Sequence, residues 1–161
     1  MTALGALLVA QALHGGLSLG VGTAYDGAGV RLELGSEHFG AFVGTGALPA
    51  LSLTGSQGGG GWGLSTGLRW YSDVRSGLLV SLNLTDAWLY ECADFDFCVA
   101  GARTRHFSFF TLTAVVGYRW KFDFAFLEAG IGGGMFRDTS VGPTPDYRAI
   151  PDLVLGVGFD I

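Results

Sequence analysis

Alternation is the feature that most constrains this chain. Over most of its length, apolar residues alternate with small or polar ones at a period of two, and helical periodicity is hard to find. In "SGLLVSLNLTDAWLY", Leu78, Val80, Leu82 and Leu84 share one face, while Ser81, Asn83 and Thr85 share the other. The same pattern sets Val30, Leu32 and Leu34 against Arg31 and Glu33. It also sets Trp62, Leu64, Leu68 and Trp70 against Ser65, Gly67 and Arg69. Successive side chains of a strand point to opposite faces, so this pattern predicts strands between two different environments.

Eight such runs are expected, at 17–25, 28–36, 38–46, 61–71, 77–90, 107–120, 122–136 and 149–161. Short turns separate some of them: Asp26-Gly27-Ala28-Gly29, Ser36-Glu37-His38, Ser72-Asp73-Val74-Arg75-Ser76 and Lys121-Phe122-Asp123. Longer polar or Gly/Pro stretches cover 47–60, 91–106 and 137–148. From the second connection onward, short turns alternate with long loops. An up-and-down sheet with its turns at one end and its loops at the other has that order. The 26–29 connection is the exception, being short where the order calls for a long one.

Composition narrows the class. Charged residues are 14% of the 161, against about 25% in an ordinary soluble domain. Glycine is abundant at 28 residues, yet 12 Phe, 5 Tyr and 4 Trp argue against a disordered chain. Net charge is −5 and Lys121 is the sole lysine, which excludes the basic footprint of nucleic-acid binding. No run reaches the ~20 predominantly apolar residues of a membrane-spanning helix. "MTALGALLVAQA" ends in Ala10-Gln11-Ala12, a small-x-small cleavage pattern, but lacks a basic start. Residues 1–12 therefore read as a signal-peptide remnant or as an apolar plug or first-strand extension, with 13–161 as a single barrel domain.

Two further patterns concern the faces. Aromatics sit at the ends of the apolar face: Trp62 and Trp70 on one strand, Trp88 and Tyr90 on the next, then Tyr118 and Trp120, and finally Phe159. Trp62 to Trp70 is ~26 Å of strand, or ~20 Å of height once tilted, near the ~25 Å apolar band between aromatic girdles of membrane barrels. The opposite face carries charge: Arg31, Glu33, Arg69, Arg119, Asp152 and Asp160, joined by Glu128 if the seventh run bulges near Phe126-Leu127. Buried charges persist when paired, and an eight-stranded barrel is just wide enough for side chains to fill. An all-β, eight-stranded antiparallel up-and-down transmembrane β-barrel is the fold expected, with those seven residues as an interior polar network.

With these features the chain resembles the small eight-stranded bacterial outer-membrane barrels of the OmpA/OmpX type. Gly156-Val157-Gly158-Phe159-Asp160-Ile161 is similar to the terminal assembly signal of that class, with Ile161 in place of the usual Phe and Val154 where a polar residue is expected. The resemblance implies both termini in the periplasm and three longer loops outside. It also implies outer-membrane lipid and lipopolysaccharide as surroundings, and barrel-assembly machinery and other envelope proteins as partners. The last strand is expected to pair with the first, removing both sheet edges.

Candidate chemistry is sparse. Cys92 and Cys98 suit a local disulfide in an oxidising compartment and supply too few ligands for a metal. Glu91, Asp94 and Asp96 offer oxygens to a divalent cation, and Arg103, Arg105 and His106 offer donors to lipid phosphates. A solvated charged loop is the plainer reading of both sets. His106-Phe107-Ser108, with Glu128 downstream, is similar to the His-x-Ser-Asn motif of lipid A 3-O-deacylases, although Phe109 replaces the Asn. Inward Gly20, Gly22, Gly67, Gly156 and Gly158 would leave space for a ligand or water path, or relieve crowding between backbones. Gly132-Gly133-Gly134 lacks the strand-to-helix context of a phosphate loop. No cofactor, metal cluster or other nucleophile–base set is legible.

The leading expectation is a non-enzymatic envelope barrel with a structural or surface-contact role. A lipid A-modifying enzyme using His106 and Ser108 is one alternative, and a narrow pore or small-ligand carrier another. A soluble barrel binding an apolar ligand would invert the faces, with Leu and Trp inside and Arg and Glu outside.

Overall fold

The structure, a computed structural model, describes residues 14–50, 59–91, 105–138 and 147–161. Eight strands follow one another: β1 (His14–Gly22), β2 (Gly27–Gly35), β3 (Phe39–Ala50), β4 (Gly59–Asp73), β5 (Ser76–Glu91), β6 (Arg105–Phe122), β7 (Ala125–Asp138) and β8 (Tyr147–Asp160). Each pairs antiparallel with its sequence neighbours, and β1 closes on β8, so the sheet is a barrel in up-and-down order. Closure satisfies the two edges that an open sheet would leave unpaired. No helix among the described residues is long and apolar enough to cross a membrane.

The alternation of the sequence becomes the two faces of the wall. On β5, Leu82 is 50% exposed outward and Asn83 0% exposed inward. β2, β4, β6 and β8 repeat the arrangement, with Leu, Val and aromatic side chains outward and small, polar or charged ones inward. At the turn end, the connections are tight. Arg75 and Asp123 adopt left-handed backbone (φ 48° and 52°), the conformation that lets a two-residue turn match strand twist.

Three expectations need correction. The first strand does not run to residue 25: it stops at Gly22, where φ is 113°, and Thr23–Tyr25 form a single 3₁₀ turn. β7 needs no bulge near Phe126-Leu127. Its ladder with β6 is continuous, and Phe126, Glu128 and Gly130 all face inward because the inward set begins at Phe126 itself. The irregularity lies instead on β4, between Tyr71 and Asp73. Several strands also extend past their expected ends: β3 reaches Ala50 and β6 starts at Arg105.

The 3₁₀ turn explains the short 26–29 connection. Instead of rising as a loop, it folds into the barrel, leaving Ala24 and Tyr25 0% exposed. Inward glycines make room for it. A Cβ on Gly20 or Gly156 would strike the Tyr25 ring or hydroxyl, and one on Gly29 or Gly46 would strike its carbonyl oxygen. Crowding by the chain's own turn accounts for these glycines, and Gly67 and Gly158 accommodate the Phe42 and Phe126 rings in the same way.

Candidate functional site in the barrel interior

The interior has two storeys. The lower one, toward the turn end, is ionic. Glu128 on β7 sits at its centre, fully buried: Arg31 from β2 donates to both its oxygens (2.5 and 2.9 Å), Arg69 from β4 donates at 2.8 Å and Arg119 from β6 at 3.3 Å. Tyr25 adds a hydroxyl donor at 2.8 Å from the 3₁₀ turn. Glu33 on β2 is the second anionic hub, taking the Tyr71 hydroxyl at 2.6 Å, Arg119 at 3.2 Å and Arg75 at 3.3 Å. Asp160 on β8 closes the layer at the turn-end rim, 3.1 Å from the ammonium of Lys121 and 3.5 Å from Arg75.

Desolvating so many charges is expensive, and the arrangement offsets the cost in two ways. Each carboxylate meets several guanidinium groups at once, so Coulomb attraction acts where the dielectric is low. The guanidinium faces also rest on rings: Arg119 lies 3.7 Å from the centroid of Phe126 and 4.7 Å from that of Tyr71, Arg31 lies 4.6 Å from Tyr25, and Arg69 lies 5.1 Å from Phe42.

The upper storey is uncharged apart from two acids. The Thr23 backbone N–H and hydroxyl both donate to Asp152 on β8, the N–H at 3.2 Å. The Thr113 hydroxyl donates to the same carboxylate at 2.9 Å, and Asn83 donates to Thr23 at 3.1 Å. Thr85 and Ser65 donate to the carbonyls of Thr23 and Ala24 at 3.0 Å each. The 3₁₀ turn is thereby bonded to β4, β5, β6 and β8. Asp26, which ends it, is 1% exposed, and neither carboxylate oxygen has a hydrogen-bond partner among the described residues. Burial, reinforced by nearby Asp86, pushes the Asp26 carboxyl up to about 6.

Of the interior residues expected from sequence, Arg31, Glu33, Arg69, Arg119, Glu128 and Asp160 converge in the lower layer, and Asp152 lies apart in the upper cluster. Sequence reasoning missed Arg75, which reaches inward from a turn; Tyr25 and Asp26, on the in-folded connection; and Tyr71, Phe42 and Phe126, which are aromatic yet inward. The short connection was the one signal pointing to Tyr25.

The His106, Ser108 and Glu128 set is not brought together. Ser108 pairs with outward Trp88, while Glu128 is inside, opposite Arg119. Eleven residues of β6 separate Ser108 from that level, roughly 36 Å of strand. The backbone of His106 pairs with Tyr90, and the side chains of both lie outside the described residues. Cys92, Cys98, Asp94, Asp96 and Arg103 likewise lie outside the described residues, as do the side chains of Glu91 and Arg105. The remaining aromatics of the expected girdle all point outward: Trp62 and Trp88 meet at 4.9 Å toward the loop end, and Tyr118 and Trp120 meet at 5.0 Å with Trp70 and Phe159 toward the turn end. No metal-holding group of His, Cys, Asp or Glu occurs among the described residues. No protein-family profile, curated protein or solved structure matches the chain.

Proposed function

We propose that this chain is a bacterial outer-membrane β-barrel with a structural or surface-contact role in the cell envelope, presented through its three longer loops. One observation carries the reading: the barrel is inside out relative to a water-soluble one. Arg31, Arg69, Arg75, Arg119, Glu33 and Glu128 are at most 2% exposed, while Leu, Val and aromatic side chains cover most of the outside, interrupted toward the loop end by exposed Asp86. Exposed apolar surface on that scale marks a partner surface, and one that encircles the molecule fits lipid. The aromatic pairs at two heights suit the two interfaces, where amphipathic rings settle. The filled lower storey favours a closed barrel over a channel.

On this reading both termini are periplasmic and lipopolysaccharide contacts the loop end. Residues 156–161 are where assembly machinery grips, residues 1–12 belong to a secretion signal, and Cys92 and Cys98 form a loop disulfide. The test is site-directed spin labelling of Leu82→Cys and Asn83→Cys in reconstituted vesicles. A Leu82 label relaxed by lipid-soluble oxygen and shielded from a water-soluble nickel chelate supports the proposal. A Leu82 label open to the chelate overturns it.

A further inference from the structure

At the loop end the barrel wall is not level. β8 keeps its ladder with β7 up to Tyr147, opposite Arg137, whereas its ladder with β1 stops at Leu155, opposite Val21. On the other flank, β2 leaves β3 at Ala28, while β3 stays paired with β4 as far as Ala50. The β1–β2 hairpin therefore ends below its neighbours. From Tyr147 to Leu153, β8 has no partner on that side among the described residues. Pro151, which has no N–H to lose, falls in this stretch, as expected of an unpaired edge.

Above the 3₁₀ turn the notch opens a cup of about 370 Å³, within the ~300–1,000 Å³ range of small-molecule sites. Its wall is apolar: Phe109 and Phe136 lie with ring centroids 5.1 Å apart, beside Ile150. Asp26 and Asp152 lie beneath. Asp152 is engaged by Thr23 and Thr113, but among the described residues buried Asp26 has no hydrogen-bond partner for either oxygen, and the buried hydroxyl of Thr111, also lining the cup, has none. Among the described residues no lysine or arginine lines the cup. Arg148, opposite Phe136 in the β7–β8 ladder, is exposed.

We propose that this cup binds a small organic cation, an ammonium group on an aromatic or branched apolar body. The ammonium answers the uncompensated carboxylate of Asp26 and the charge of Asp152, and the body packs on Phe109 and Phe136, whose ring faces also attract cations. A neutral apolar ligand would leave Asp26 buried and unpartnered, and an anion would face two carboxylates in a poorly hydrated site. The inference does not depend on a membrane location, since the cup belongs to the barrel's own interior and notch.

The experiment is calorimetric titration of the full chain in uncharged maltoside micelles with three probes of one shape: naphthylmethylammonium, naphthylmethanol and naphthoate. The ammonium is expected to bind saturably, the alcohol more weakly by a factor of about ten or more, and the naphthoate not at all. Asp26→Asn should weaken the ammonium several-fold, toward the level of the alcohol, with Asp152 holding the remainder, whereas Phe136→Ala should weaken both. Equal affinity for ammonium and alcohol overturns the proposal, as does ammonium binding undiminished in Asp26→Asn or the absence of saturable binding. The three-probe series on the unaltered chain decides the matter even if a variant folds poorly.

Discussion

The hydroxyl of Tyr25 donates to Oε1 of Glu128 at 2.8 Å and lies 3.2 Å from the hydroxyl of Ser18. Residues 103 positions apart are thus joined inside the barrel, one from a three-residue turn and the other from the seventh strand. Tyr25→Phe removes a hydrogen bond to a charged group and is expected to cost about 1.5–3 kcal/mol. Gly156→Val, which places a branched side chain against that hydroxyl, should cost more by expelling the turn. Urea unfolding of both variants from maltoside micelles checks the order.

Glu128→Gln leaves Arg31, Arg69 and Arg119 with a neutral partner in a fully buried layer, and is expected to destabilise the barrel by about 3–5 kcal/mol. Asp160→Asn at the rim, where the carboxylate is 12% exposed and faces Arg75, Arg119 and Lys121, should cost less than Glu128→Gln. Comparable losses for the two would show that the central layer is not the one under electrostatic load.

For Asp26, the sign of the pH dependence follows from its raised pKa. Its carboxyl titrates near 6 when folded and about 4 when unfolded, so the folded state holds more protons between those values. The Asp26 contribution to stability is therefore most favourable below about pH 4, falls as pH rises through about 6, and then levels off, a loss of roughly 2–3 kcal/mol. Asp26→Asn should flatten that component and be more stable than the parent at neutral pH. The difference between the two unfolding curves across this range isolates the effect.

Leu82→Arg distinguishes a lipid-facing wall from a wetted one. At mid-height in a bilayer an outward arginine costs about 2–4 kcal/mol, whereas on a water-exposed surface the change would fall within about 0.5 kcal/mol. Unfolding from vesicles compares the two outcomes directly.

Planar-bilayer recordings should show no discrete conductance steps, because Arg31, Arg69 and Arg119 bridge the lumen to Glu128 and the 3₁₀ turn fills the space above. Regular steps from the unaltered chain would mean that this layer parts readily.

The barrel was legible in the sequence because its signal is local. Side chains alternate from one residue to the next, so Leu82 and Asn83 could be assigned to opposite faces from a single strand, and turn residues such as Ser36-Glu37-His38 marked the reversals. The inward positions of Arg31, Glu33, Arg69 and Arg119 follow from the same parity. Their partners do not. A layer uniting β2, β4, β6, β7 and β8 depends on strand register and barrel closure, which parity leaves undetermined.

Only the tertiary structure decided what fills the barrel. Arg75 and Tyr25 belong to connections, where alternation says nothing about direction, and both were drawn inward because the lumen offered buried carboxylates to pair with and glycines that left space. Phe126 carried a further lesson: it is an aromatic near the start of β7, yet by parity with Glu128 it faces in, where Arg119 lies across its ring. The sequence by itself determined eight strands and their two faces, since covalent geometry imposes alternation locally. The ionic layer, the in-folded turn and the notch above it required closure, which brings distant strands into one small, poorly hydrated volume where every charge needs a partner.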